Sequence, residues 1–124
     1  MIREISSHDA LRFIKRTKTK EDSITLNSNG KFYGFFKNDE IAGIISTAET
    51  KNTIRIKQFL VDPAHRKSKV GTALLFWVLE GDKKFTAFAT ENSYKLFEKM
   101  GFKETEINNN GIRFMEREGI KNEK

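Results

Sequence analysis

The chain opens with Ile2, Arg3, Glu4 and Ile5, a short run with apolar ends that reads as a half-buried strand. In "SSHDALRFIKR", Ser6 with Asp9 three residues on has the form of a capping box. Ala10, Leu11 and Ile14 fall on one helical stripe. That spacing predicts a helix over about residues 7–16. "TKTKEDSITLNSNG" is mostly polar and reads as a loop. "KFYGFFKNDEIAGIISTAE" predicts a hairpin, with strands over 31–36 and 41–48 about the turn "KNDE".

The next strand, "TIRIKQFLVD", has a slip in its alternation. Ile54 and Ile56 are in phase, and so are Phe59 and Val61, but the second pair is one step off from the first. A period-2 strand does this only with one extra residue, so the pattern predicts a β-bulge near Lys57 and Gln58. The alternative is a strand buried on both faces, with Leu60 continuing the first phase.

Gly71, Leu74, Leu75 and Val78 then follow the i, i+3, i+4, i+7 rule. Phe76, Trp77 and Leu79 make that helix apolar nearly all round, which predicts a buried helix with Gly81 as its C-terminal cap. "KKFTAFAT" reads as a strand. "ENSYKLFEKM" reads as a helix, with Tyr94, Phe97 and Met100 spaced by three and Gly101 as the stop. "FKETEI" and "GIRFMERE" close the chain as two strands around "NNNG". The order is strand, helix, three strands, helix, strand, helix, two strands. It predicts one mixed α/β domain over residues 1–118, with 119–124 as a flexible tail.

Composition narrows the classes. The 124 residues suit one domain, and 11 Phe can supply its core. Cysteine is absent, which excludes disulfides, a thiolate nucleophile and a cysteine-based metal site. No apolar run approaches a membrane span, and "MIREISSHDA" lacks the apolar core of a signal peptide. These features point to a soluble, cytoplasmic chain. The formal net charge of +6 favours acidic partners such as phosphates or nucleic acid, although the lysines are spread along the whole chain.

One stretch concentrates the candidate chemistry. In "VDPAHRKSKVGTALL", residues 61–75, a strand ends, a proline breaks it, and a basic corner with one glycine opens an apolar helix. A helix N-terminus has unpaired N–H groups and a partial positive charge, and a turn of N–H groups before it can wrap a phosphate. Gly71 permits close backbone approach. Ser68 and Thr72 offer hydroxyls, and Arg66, Lys67 and Lys69 add charge. Walker and dinucleotide-fingerprint spacings are both absent. The bland reading is a basic loop capping a core helix.

This stretch resembles the acyl-CoA motif of the GNAT superfamily of N-acetyltransferases, V-x-P-x-x-R/Q-x-x-G-x-G/A-x-x-L-L, at Val61, Pro63, Arg66, Gly71, Leu74 and Leu75. Lys69 stands where the first glycine of the pattern sits, which a backbone cradle tolerates if φ stays negative. "NSYKLFEKMGF" is similar to the second motif of that family in shortened form, at Asn92, Lys99, Gly101 and Phe102. The resemblance implies a twisted, mostly antiparallel central sheet, splayed at the bulge and flanked by helices. It implies acetyl-CoA as co-substrate. The N–H groups of Lys67, Ser68, Lys69, Val70 and Gly71, with Thr72, would hold the diphosphate. Arg66 or Lys67 would meet the 3′-phosphate. The backbone of Phe59, Leu60 and Val61 would pair with pantetheine like an added strand. Asn92 would touch the pantetheine arm or cap its helix, and Phe97 would lie beside it.

The usual catalytic groups of the family are absent. Lys57 and Gln58 stand on the strand where a Glu base is common, and Phe97 stands where a Tyr proton donor is common. Gln58 could order a water, and Tyr94 could reach the thiol. His65, Glu49 and Glu91 are weaker candidates. The expected function is transfer of an acetyl group to an amine, with a protein lysine or peptide N-terminus ranked first among acceptors. The loop at 17–30 is expected to form a low wall of an open acceptor cleft. Two rivals are a degenerate family member that binds CoA or a partner protein without turnover, and a nucleic-acid-binding module. The second rests on Lys31, Tyr33, Gly34 and Phe35, which fall at the positions of a ring-stacking strand.

Overall fold

The computed structural model describes residues 1–17, 30–65, 68–90, 93–108 and 110–119. Seven strands form one sheet in the order β1-β2-β3-β4-β5-β7-β6. They are β1 (Ile2–Ile5), β2 (Lys31–Lys37), β3 (Glu40–Glu49), β4 (Thr53–Val61), β5 (Lys84–Ala89), β6 (Lys103–Ile107) and β7 (Arg113–Arg117). Three α-helices join them: α1 (Ser7–Thr17), α2 (Val70–Val78) and α3 (Tyr94–Lys99). Every neighbouring pair is antiparallel except β4 with β5. The last strand, β7, is inserted between β5 and β6 and so buries Met115 at the centre of that half of the sheet.

The local signals explain most element ends. Ser6 Oγ accepts the Asp9 N–H at 3.0 Å and starts α1. The β2–β3 turn holds Asn38 and Asp39 at φ 50° and 67°, the two left-handed residues of a two-residue hairpin loop. Gly101, at φ 94°, ends α3, where Phe102 N–H returns to Phe97 O at 3.0 Å. α2 stops at Val78, short of the predicted cap, and Gly81 follows at φ 100°.

Two cores lie on the two faces of the sheet. Ala10, Phe13 and Ile14 of α1 pack on Phe32, Ile44 and Leu60. The centre of that helical stripe is Phe13, not Leu11, because 3.6-residue spacing allows either set and the sheet selects one. The other face packs α2 and α3 on Ile45, Ile56, Phe85, Ala87 and Met115. α2 is not buried all round: Phe76 is 72% exposed and Trp77 is half exposed, because only one side of the helix meets the sheet. Tyr33 and Phe35 pack against this second core and Phe32 lies in the first, so β2 presents no stacking platform of the kind a nucleic-acid reader needs.

Candidate active site

The phase slip in β4 is a bulge. Ser46 of β3 faces Gln58, whereas the next residue, Thr47, faces Ile56, so Lys57 is the extra residue. Ser46 Oγ accepts the Gln58 N–H at 3.1 Å and holds the bulge in place. The consequence for side chains is the one the sequence predicts. Ile54, Ile56, Phe59 and Val61 all face the α2–α3 core, while Leu60 faces the α1 core.

The same bulge parts two strands. β4 and β5 are paired in parallel from Thr53↔Lys84 to Ile56↔Ala87, and the pairing stops there. β4 runs on to Val61 and β5 to Ala89, so the sheet opens between Lys57 and Phe88. Gln58 is half-buried and points to the α1 side of this opening.

The corner lies just beyond β4. Asp62 N–H donates to Ala42 O at 2.9 Å, and Asp62 Oδ1 accepts the Ala64 N–H at 3.0 Å. Arg16, at the end of α1, donates to Ile41 O at 2.7 Å and lies 3.8 Å from Asp62 Oδ2. The corner is thereby tied to β3 and to the end of α1. A 3-10 turn, Pro63–His65, leads to Ser68, whose N–H and hydroxyl both donate to His65 O, at 3.1 and 2.6 Å. Ser68 therefore braces the turn; its hydroxyl is not aimed outward for a ligand. Lys69 follows at φ 64°, which corrects the expectation of a negative φ at that position. A lysine here takes up the steric cost a glycine would avoid. The first i→i−4 bond of α2 runs from Ala73 N–H to Lys69 O at 3.0 Å. The N–H groups of Lys69, Val70, Gly71 and Thr72 thus have no partner within the helix and stand at its positive end. Arg66, Lys67, Glu91 and Asn92, and the loop at 18–29, lie outside the described residues.

Two glycines set how closely α2 approaches its neighbours. A Cβ on Gly43 would lie 2.8 Å from Val70 Cγ1 and 3.0 Å from Leu74 Cδ1. Gly43 therefore lets the first turn of α2 rest on β3; nothing local in the sequence marks that crossing. A Cβ on Gly71 would lie 3.3 Å from Phe59 Cζ and from Leu96 Cδ2, and 3.4 Å from Val61 Cγ2. Gly71 lets α2 pack closely along the seam it forms with β4 and α3. Leu96, which sequence reasoning passed over, lines this seam.

The two aromatic candidates on α3 have different settings. Phe97 is 2% exposed and packs edge-on against Phe59 and Phe102, with ring centroids 5.7 and 5.1 Å away. It is a core residue. The ring of Tyr94 lies under the guanidinium of Arg113 of β7, at 3.9 Å, and Arg113 is also bonded to Glu104. Tyr94 is thus anchored on the β7 side of the sheet, one strand further from β4 than β5 is. Glu49 lies at the closed end of the β4–β5 pair. There Lys83 Nζ bonds its carboxylate at 2.5 Å and Thr50 O at 2.9 Å, and that ammonium holds Glu49 below the usual carboxylate range. Glu49 is therefore remote from the opening. His65 sits in the turn that leads to the cradle. No cluster of metal-ligating side chains occurs among the described residues.

A sheet parted by one bulged residue, with a helix N-terminus at its mouth, is the architecture of an acyl-CoA-dependent acyltransferase. Residues 3–118 match the family model "Acetyltransferase (GNAT) domain", and the chain belongs to that family of acyl-CoA-dependent N-acetyltransferases. Solved structures agree in fold. A GNAT-family acetyltransferase from Staphylococcus aureus Mu50 superimposes with a TM-score of 0.74 at 19% identity, covering 95% of this chain and 98% of that one. The ribosomal-protein-S18-alanine N-acetyltransferase from Escherichia coli gives 0.77 at 14% identity, over 99% and 96%. The PaiA N-acetyltransferase from Thermoplasma acidophilum, solved with coenzyme A, gives 0.74 at 14% identity, over 95% and 98%. No curated protein matches the sequence significantly. Among the described residues no helix is long and apolar enough to cross a membrane.

Proposed function

We propose that this protein transfers an acetyl group from acetyl-CoA directly to the amine of a macromolecular acceptor, a protein lysine or a peptide N-terminus. The observation that carries the reading is the end of the β4–β5 pairing at the Lys57 bulge, on the strand that runs directly into the corner. The N–H groups of Lys69 to Thr72 suit a diphosphate, and Arg66 and Lys67 add charge to the same corner. The backbone of Phe59, Leu60 and Val61 lines the edge that parts from β5. When bound, acetyl-CoA supplies an activated thioester. The C–N bond forms as the C–S bond breaks, the amine proton passes to solvent, and CoA leaves as its thiol.

The chain contributes position more than acid–base chemistry. Neither β4 nor β5 contains a carboxylate. Gln58 lies on the α1 side of the opening with its amide oxygen buried, so it shapes that side and is not a base. Lys57 and Arg55 put positive charge near the opening, which favours the neutral form of an incoming amine. Tyr94, anchored to Arg113, supports α3, and protonation of the leaving thiolate falls to solvent. Holding a thioester and an amine together is itself a large part of the catalytic effect. One structural neighbour is named for acetylating an alanine of a ribosomal protein, so this fold accommodates a protein acceptor. A member that binds acetyl-CoA without turnover is the second reading, favoured by the burial of Phe97 and the missing carboxylate.

Calorimetry with acetyl-CoA tests the first half. Gly71→Asp brings a negative charge beside the four N–H groups and a Cβ against Phe59 and Leu96, and binding should fall at least about tenfold, or about 1.4 kcal/mol, in a variant whose urea midpoint shows that it is folded. Undiminished binding would place the site elsewhere. Acetyl transfer to peptides tests the second half. The rate should climb with pH toward the acceptor pKa, and Gln58→Ala should cost about tenfold or less. A bell-shaped profile with a base titrating near neutrality would contradict this mechanism.

A further inference from the structure

Past the point where β4 and β5 part, the sheet carries a ring pair on its α1 side. Phe88 is the first residue of β5 beyond the last paired position, Ala87. Its neighbours Ala87 and Ala89 face the α2–α3 core, so its ring points the other way, and it is 57% exposed. Phe114 stands opposite it on β7, with ring centroids 5.1 Å apart at 52°. The guanidinium of Arg55, from β4, lies 5.6 Å from the Phe88 centroid. Arg55 makes no ion pair among the described residues. The acid in its row of the sheet, Glu116, lies 3.7 Å from Lys84 Nζ and is engaged there.

An exposed phenylalanine in a strand, paired with a second ring and flanked by a cation, lies at the lip of the opening. We infer that Phe88, Phe114 and Arg55 form the acceptor-recognition shelf. It selects a peptide whose reactive amine is followed by an apolar side chain and then by an acidic one. The inference rests on the acetyl-transfer reading of the opening. With the amine at the gap, the next side chain reaches Phe88 and Phe114, where ring contact adds to area burial. A carboxylate one step further reaches Arg55, whose fork suits it in two hydrogen bonds. Lys57 at the lip opposes a basic side chain in the same place. Phe88 is open to solvent, so the shelf does not enclose a ligand. An open shelf holds a peptide better than a small amine that must be surrounded.

The test uses two fluorescent hexapeptides with free N-termini, one with Phe and Asp at positions two and three, the other with Gly and Lys. Their affinities are measured by anisotropy on the CoA-saturated protein, and their acetylation is measured with acetyl-CoA. The Phe-Asp peptide should bind about tenfold more tightly, the scale of one ring contact with one charge-assisted hydrogen bond less ordering costs. Arg55→Glu should reverse the charge preference, and Phe88→Ser should remove the apolar one, while both variants keep acetyl-CoA affinity. Equal binding of the two peptides, an unchanged preference in Arg55→Glu, or free phenylalanine binding as well as the peptide would overturn the shelf. Selective binding without acetylation would leave the shelf standing and sink the transfer reading. Acetylation at equal rates with equal binding would do the reverse.

Discussion

The corner and the opening are built from different material. The corner consists of main-chain groups: four N–H donors at the start of α2, braced by Ser68 on His65 O and by Asp62 on Ala64 N–H. The opening consists of side chains from separate strands, Gln58 and Arg55 of β4, Phe88 of β5 and Phe114 of β7, brought together by pairing. The N–H groups of the corner do not depend on side-chain identity, and the turn keeps a left-handed residue at position 69 although that residue is a lysine. The opening depends on which side chains are there, and here they include neither a carboxylate base on β4 nor a hydroxyl at Phe97. On the proposed reading, the cofactor would be met by backbone groups and the acceptor by side chains.

The largest expected effect comes from removing the residue that connects the two regions. Deleting Lys57 would let β4 and β5 zip together and send Phe59 and Val61 to the α1 face. Stability should fall by about 3–5 kcal/mol, the burial of two large apolar side chains, and acetyl-CoA binding should be lost. A deletion variant with the parental urea midpoint and intact binding would show that the bulge does not create the opening.

A smaller effect tests the corner alone. Lys69→Gly removes a Cβ from a left-handed residue and should raise stability by a net of about 0.5–1 kcal/mol after the entropy of glycine is counted. Lys69→Val, β-branched at the same φ, should instead cost about 1–2 kcal/mol. Urea unfolding with unchanged m-values checks both; if the two variants match, the left-handed turn is not held in solution.

The smallest effect lies at the closed end of the β4–β5 pair. Lys83 lowers the Glu49 pKa, so the pair stabilises the fold above the unfolded carboxylate pKa, and that contribution is lost as pH falls through the lower folded value. Lys83→Met should therefore lower the melting temperature slightly at neutral pH, with the difference closing in acid. A difference that persists below the carboxylate range would point to packing of the lysine stem. Acetyl-CoA affinity should be unchanged, since this end is remote from the opening.

Legibility followed the same division. The bulge was readable because Ile54, Ile56, Phe59 and Val61 carry the phase slip within one strand. The corner was readable as a break followed by a helix start because its residues are contiguous. Gly43 was not, since only the crossing of α2 over β3 gives it a reason. Arg55, Phe88 and Phe114 were not, because they share a surface only once β5 and β7 are paired. Tyr94 reads from its helix position either as a group within reach of the thiol or as a core aromatic; its contact with Arg113, distant in sequence, exists only once α3 packs beside β7. The exposed Phe76 and Trp77 defeated periodicity, which shows that a helix is apolar but not which of its sides lacks a neighbour.

Trp77 is the only tryptophan in the chain, and it stands half in solvent on α2, the helix whose first turn carries the cradle. The protein therefore contains its own optical probe. Its indole emission belongs at the long-wavelength end of the folded-protein range and is open to soluble quenchers. Any ligand that tightens or shifts α2 changes the environment of one chromophore and no other tryptophan, so events at the corner can be followed by intrinsic fluorescence without a label.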